Sequence, residues 1–275
     1  IVATPGKLIS HLNMGYSDFS NFECLILDEA DRMLDMGFYE DIKKIISYLP
    51  EQRQNLFFSA TMPPKIRKLA KEVLQDPIEI TIALSKPAEN ILQAAYLVHD
   101  DQKAQLVREL LEDKPQYESV IIFTTRKKNV QEIARYLKRS LKDVEGISSD
   151  LDQSEREKVL ERFRSKRTRV LVSTDVLSRG IDIKDINLVV NYDVPNDAED
   201  YVHRIGRTAR ANTTGVAITL INSMDMADFA KIERLIEKEV FKVPLPEHLG
   251  QAPEWNPKKY APKGGRGYRR GSRKR

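Results

Sequence analysis

The sequence predicts an α/β protein in which helices cover both faces of a parallel sheet. Three observations carry that expectation. Short β-rich runs alternate with amphipathic helical stretches from Phe22 onward. Several of those runs are apolar almost throughout, as in strands buried on both faces. A length of 275 residues, with 41% hydrophobic and 31% charged side chains, supplies enough apolar material for two cores at roughly 150 residues per domain.

Strands are expected, in order, at 24–27, 55–58, 79–82, 95–98, 120–123, 170–172, 188–190 and 216–219, each rich in Val, Ile, Leu or Phe. Apolar residues spaced three and four apart predict helices at 42–49, 65–74, 102–111, 130–141 and 154–163. A further helix is expected at 225–239, and Asp197–Asp200 reads as a helix start. Residues 83–90 (ALSKPAEN) lack a pattern, contain Pro87 and form the expected linker. Residues 1–82 then make a first domain that has lost its beginning, and 91–240 a second. Residues 241–275 make an extension broken by Pro244, Pro246 and Pro253. No internal repeat of 20–50 residues is evident.

The formal net charge of +4 hides an asymmetry. Residues 256–275 hold nine Lys and Arg and no acids, whereas the other 255 residues carry 36 basic and 41 acidic side chains, a net of −5. A basic tail on an acidic body marks either a disordered polyanion-binding arm or a solvated terminus. Tyr260 and Tyr268, set among Gly and Arg, suit stacking on unpaired bases. No apolar face accompanies the charge and no long apolar run occurs, so nucleic acid is favoured over membrane. The single Cys24 excludes an internal disulfide and suits a reducing, cytoplasmic setting.

Two clusters carry chemistry. Leu25-Ile-Leu27 runs into Asp28, Glu29 and Asp31, and ligands bind beyond the carboxyl ends of parallel strands. An Asp there can hold hydrated Mg²⁺ on nucleotide phosphates, and the neighbouring Glu can polarise a water; the same acids can equally complement a helix N-terminus. The second cluster, His203-Arg204-Ile205-Gly206-Arg207-Thr208-Ala209-Arg210, concentrates cations in eight residues. Arg207 and Arg210, three apart, project the same way on a helical turn and suit convergence on one phosphate. Pairing of Arg204 or Arg207 with Glu199 or Asp200 is the other reading.

These segments, with others in the same order, resemble the motifs of the DEAD-box RNA helicases. Asp28-Glu29-Ala30-Asp31 followed by Arg32-Met-Leu-Asp-Met-Gly-Phe38 is similar to motif II, Thr4-Pro5-Gly6-Lys7 to motif Ib, and Ser59-Ala60-Thr61 to motif III. Ile121-Ile122-Phe123 resembles motif IV, Gln153 with Arg156 the QxxR element, Ser173–Asp182 motif V, and His203–Arg210 motif VI. The short basic extension looks most like the bacterial RhlE-type branch. The resemblance implies two RecA-like domains, ATP and Mg²⁺ as cofactors, and single-stranded or short duplex RNA as partner. It implies Asp28 on Mg²⁺ through water, Glu29 on the attacking water, and a relay of Asp31, Ser59, Thr61 and His203. Gly180 and Asp182 would meet ATP, and Arg207 and Arg210 would be arginine fingers. RNA would lie on Thr4, Gly6, Lys7, Gln153, Arg156 and Thr174. A DNA helicase of the same superfamily and a nucleotide-independent RNA-binding module are the alternatives. Protein partners of the ribosome-assembly or RNA-decay kind are left open.

Some positions depart from the pattern. Lys7 stands where Arg is usual, Ala209 where Gly is common, and Arg126 where a small hydroxyl residue often contacts RNA, leaving Thr124, Thr125 and Arg126 uncertain ligands. Ser148-Ser149 replaces a His-Gly pair. No GxxxxGK[ST] occurs, so truncation ahead of motif Ib, and no ATPase from the chain alone, are expected. Cys24 is expected in the core, Trp255 is expected to pack the extension on the second domain, and His11, His99 and His248 lack metal-ligand spacing.

Overall fold

Parallel strands cannot be joined by tight hairpins, and the helical stretches between the apolar runs supply the crossovers. The computed structural model describes residues 1–15, 18–59, 62, 64–80, 90–174, 186–208 and 214–259. It divides the chain into two units, Ile1–Leu84 and Ser85–Arg275. Thr61, Gly180, Asp182, Arg210, most of the expected linker and the tail from residue 260 lie outside the described residues.

The smaller unit runs α1 (Pro5–Asn13), β1 (Cys24–Leu27), α2 (Ala30–Asp35), α3 (Tyr39–Ser47), β2 (Gln54–Phe57) and α4 (Pro64–Val73). The two strands pair in parallel, Leu25 opposite Asn55 and Leu27 opposite Phe57. Leu27 is buried with Ala30, Ile42, Ile66 and Leu69, and Leu25 and Phe57 pack against them. The alternate face is bare. Ile26 is 56% exposed and Phe58 54%. Cys24 shares that exposed side, which overturns its expected place in the core: the period of two sends it away from the helices. Glu79 and Ile80, the described half of the strand expected at 79–82, are in no strand, and Ile80 is exposed.

The larger unit contains β3 (Ile91–Leu97), α5 (Asp100–Leu111), β4 (Val120–Phe123), α6 (Lys127–Leu137), β5 (Val144–Ile147), α7 (Gln153–Arg164), β6 (Val170–Ser173), β7 (Leu188–Asn191), α8 (Ala198–Ile205), β8 (Gly215–Ile221), α9 (Met226–Leu235) and β9 (Phe241–Val243). Its strands form one sheet in the order β5-β6-β4-β7-β8-β3-β9, with every pairing parallel. Strands β4, β6 and β7 are buried along their whole length. Val120, Ile122, Val172 and Val190 join a core with Leu106 of α5 and Ile133 of α6. Their neighbours Ile121, Phe123, Leu171 and Val189 join another with Val159 and Phe163 of α7. Helices therefore cover both faces, as the apolar runs predict.

Helices α5 and α6 begin two or three residues before their apolar periodicity, because their first turns are polar. Helix α9 stops at Leu235 rather than 239, and Glu237 just beyond it is left-handed at φ 51°. Strands β5 and β9 were not expected. Glu145 and Gly146 interrupt β5, and Glu145 is accommodated by a two-pronged hydrogen bond from Arg162 (2.7 and 2.5 Å) and one from Thr168 (2.5 Å). Those bonds, Arg162 first, hold its carboxyl below the ordinary range despite partial burial. Trp255 packs edge-on against Phe229 of α9, ring centroids 6.3 Å apart, with Lys242 over its face. Among the described residues no helix is long and apolar enough to cross a membrane.

Candidate nucleotide and nucleic-acid site

In the smaller unit the acids sit where parallel strands end. β1 gives out at Leu27 and its partner β2 at Phe57, so Asp28, Glu29, Phe58 and Ser59 emerge side by side. Backbone bonds stitch the two exits: Phe58 N–H to Leu27 O (2.8 Å) and Ala30 N–H to Phe58 O (3.0 Å). The Asp31 N–H also donates to Ser59 Oγ at 3.2 Å. Two members of the expected relay are thus brought together. Asp28 Oδ1 accepts the Glu29 N–H (3.0 Å) and Asp31 Oδ1 accepts the Arg32 N–H (2.9 Å), so part of the helix-terminus reading also holds.

Glu29 is left-handed, φ 50° and ψ 49°, a conformation that costs a non-glycine residue about 1 kcal/mol. The sharp turn leaves its carboxylate exposed, steadied by an ion pair to Arg32 at 3.0 Å. Asp76, Asp113, Asp143 and Glu237 share this conformation, so what sets Glu29 apart is its place at the carboxyl end of a parallel strand, where ligands bind. Gly37, at φ 86°, ends α2: its N–H bonds Leu34 O and the next N–H bonds Met33 O, a reversal that only a residue tolerant of positive φ makes cheaply. Thr4 stands at the N-cap position of α1 without a side-chain capping bond and Pro5 opens the helix, leaving exposed Thr4, Gly6 and Lys7 around a helix N-terminus, a geometry suited to phosphate.

In the larger unit the segments after β5, β6 and β4, three adjacent strands, carry Gln153 with Arg156, Thr174, and Thr124 to Arg126. Asp152 and Glu155 form a capping box at the start of α7. Gln153 Nε2 donates to Glu157 Oε1 (2.9 Å), and Arg156 Nη2 to Ser149 O (3.0 Å). Arg156 Nε is buried and has no hydrogen-bond partner among the described residues. Thr124 is fully buried, and its hydroxyl donates to Asp193 Oδ2 at 2.6 Å, whereas Thr125 and Arg126 are exposed. Sequence reasoning missed Asp193 and Lys103; an Asp just past a buried strand was the available signal.

Helix α8 carries His203, whose Nδ1 lies 3.9 Å from Asp200 Oδ1. It ends at Ile205, before Arg207. Thr208 forms a parallel bridge with Ile186 and donates its hydroxyl to Ile186 O, while Arg210, the other half of the expected shared turn, lies outside the described residues. Arg204 is 2% exposed and donates to Asp193 O (2.7 Å) and Asn191 Oδ1 (3.3 Å).

Comparison with known proteins fits this arrangement. The family model for DEAD/DEAH box helicases matches residues 1–69, and that for the helicase conserved C-terminal domain matches 102–212. A DEAD-box ATP-dependent RNA helicase of Oryza sativa is 42% identical over 247 residues, covering 89% of this chain and 31% of that protein. The solved structure of Saccharomyces cerevisiae Dbp5 bound to RNA and ADP BeF3 is 30% identical with a TM-score of 0.79, covering 89% of this chain and 65% of that one. That of the Escherichia coli DEAD-box protein SrmB is 32% identical with a TM-score of 0.54, covering 59% of this chain and 96% of that one. This chain belongs to the DEAD-box RNA helicase family. Its parallel α/β architecture is that of the RecA-like helicase domains. It spans about a third to a half of the length of the curated relatives it matches. Those relatives come from plants, yeasts and a bacterium.

Proposed function

We propose that this chain is part of an ATP-dependent RNA helicase, one that locally opens short duplexes by nucleotide-driven closure on a bent single strand. The observation that supports it most is the strained, exposed Glu29 beside Asp28 at the end of β1, with Asp31 tied to Ser59 at the end of β2. Asp28 suits Mg²⁺ held through water. Its carboxylate is exposed with one oxygen on a backbone amide, leaving the other to hold a hydrated ion on nucleotide phosphates. The ion supplies neutralisation of phosphate charge.

In this reading Glu29 orients the attacking water and accepts its proton. Arg207 and Arg210 stabilise the charge that develops on the transferred phosphoryl. Gly180 and Asp182 meet ATP, and Asp31, Ser59, Thr61 and His203 relay its state. Thr4, Gly6 and Lys7, with Gln153, Arg156 and Thr174, hold RNA phosphates, so binding is tight only when both sets reach one strand. The basic residues 256–275 add affinity that falls with salt. The RhlE-type placement rests on that extension alone, and a cytoplasmic setting on the single cysteine.

The chain as it stands is proposed to be inactive in hydrolysis, because it has no glycine-rich cradle for the β- and γ-phosphates. The bare apolar side of β1–β2, with Ile26 and Phe58, supports further structure covering it in the natural protein. The test is ATP hydrolysis by the product of the complete natural gene, with and without single-stranded RNA. RNA-stimulated turnover is expected, lowered at least about 100-fold by Glu29→Gln. No RNA-stimulated turnover would sink the helicase reading.

A further inference from the structure

Asp193 follows β7 and is gripped at both ends. Its carboxylate Oδ2 accepts the Thr124 hydroxyl (2.6 Å) and the Thr125 N–H (3.1 Å). Oδ1 receives Lys103 Nζ at 3.1 Å, and Lys103 is 1% exposed. Its backbone carbonyl accepts Arg204 Nη1 at 2.7 Å. Arg204 in turn lies over the Phe123 ring, 5.3 Å from the centroid, and reaches Asn191, whose amide bonds Thr219. One residue therefore joins two segments distant in sequence: the turn that leaves β4 toward α6, and the helix α8, which carries His203 and ends two residues before Arg207. The Thr124 and Arg204 bonds are partly buried, where hydrogen bonds to charged groups are stronger than in water.

The loop that Asp193 holds and Asp193 itself both border open space. A cavity of about 660 Å³ opens there, lined by Thr125, Arg126, Asn129, Tyr192 and Asp225 among others. Residues 125 and 126 thus have room to move, and Asp193 sets where they rest. Lys103 completes the arrangement. It is shared among Asp193, Asp100 (3.0 Å) and Asp225 (3.8 Å), so it keeps the Asp193 carboxylate charged within a largely buried site.

We infer that Asp193 is a positioning residue that couples the nucleotide-facing helix α8 to the turn at Thr124–Arg126, with Lys103 as its fixed counter-ion. The inference rests on the proposed helicase function. A shift of α8 when nucleotide engages Arg207 pulls on Asp193 through Arg204, and the carboxylate carries that shift to the 124–126 turn beside the RNA-binding loops. Neither Asp193 nor Lys103 touches the reacting atoms.

The experiment uses the full natural protein and measures ATP turnover with and without poly(U) RNA for Thr124→Val, Arg204→Met and the double variant. Each single change cuts one grip on Asp193, one at the side chain and one at the carbonyl. Each is expected to lower RNA stimulation about fivefold, with the double variant no worse than either single one, since a chain cut twice is no more broken than one cut once. Losses that multiply in the double variant overturn the coupling while leaving the helicase reading intact. A wild type that RNA does not stimulate overturns the helicase reading itself. If Arg204→Met fails to fold, hydrogen exchange decides. ADP with beryllium fluoride, added without RNA, is expected to protect the 124–126 amides in wild type and not in Thr124→Val; unchanged exchange in wild type overturns the inference.

Discussion

The two units are built from the same kind of strand–helix alternation and reach different ends. In the larger, the described residues form seven strands with helices on both faces, and β4, β6 and β7 are buried throughout. In the smaller, two strands share one helical face, and Ile26 and Phe58 stand exposed on the other. An apolar strand residue stabilises only what covers it, so an identical sequence signal yields a core in one unit and an open surface in the other. The larger unit encloses its apolar strands, and the smaller places the strained Glu29 beside Asp28 at the end of a short sheet.

The sharpest test of that contrast pairs Phe229→Ala with Ile26→Ser. Phe229 is fully buried between Tyr201 and Trp255, and its loss is expected to cost about 3–5 kcal/mol. Urea unfolding followed by fluorescence reads this unit alone, because Trp255 is the chain's single tryptophan. Comparable costs at Phe229 and Ile26 would break the contrast.

Charge burial gives the next effect. Burial raises the Asp225 carboxyl to about 6, helped by Asp193, Asp100 and Asp228 and opposed by Lys103. A folded pKa above the unfolded value means that the native state holds the proton more tightly, so this group's contribution falls as pH rises from about 4 through 6. Asp193 and Asp100 run the other way. Burial pushes them up, but Lys103 and their hydrogen bonds outweigh it, and the stability they provide is lost only as pH falls below the usual carboxylate range. Asp225→Asn is therefore expected to stabilise the larger unit by about 1–2 kcal/mol at pH 7.5 and by little near pH 4. Melting followed at Trp255 across that range checks it; an equal gain at both pH values contradicts the assignment.

Smaller still is the strain at Glu29. Glu29→Gly relieves the left-handed backbone and is expected to stabilise the smaller unit by about 0.5–1 kcal/mol, read as slower hydrogen exchange at the β1–β2 amides. Faster exchange would show that the Glu29–Arg32 pair outweighs the strain. Smallest is Ile26→Ser in this chain, expected to shift the same amides by less than about 0.5 kcal/mol because the side chain covers little.

Much of this molecule was legible before its structure. The apolar runs at Val120, Val170 and Leu188 read as buried strands because nothing polar interrupts them, and they are. The acids at 28–31 and the cations at 203–210 stood out because such residues cluster only where something favours them. β5 was illegible because Glu145 and Gly146 break its pattern, and only the distant Arg162 and Thr168 make Glu145 tolerable there. Cys24 was misread because burial of a strand face depends on what packs against it.

By itself the sequence determined the periodicities, the order of elements and the positions of the chemically active side chains, since these follow from local residue spacing. The tertiary structure decided which face of β1 is covered, where α8 ends under the pull of Ile186, and that Asp193 joins Thr124 to Arg204. Such contacts link residues 11 to 69 positions apart. Their energies depend on burial and on partners brought together by the fold, which no window of neighbouring residues contains.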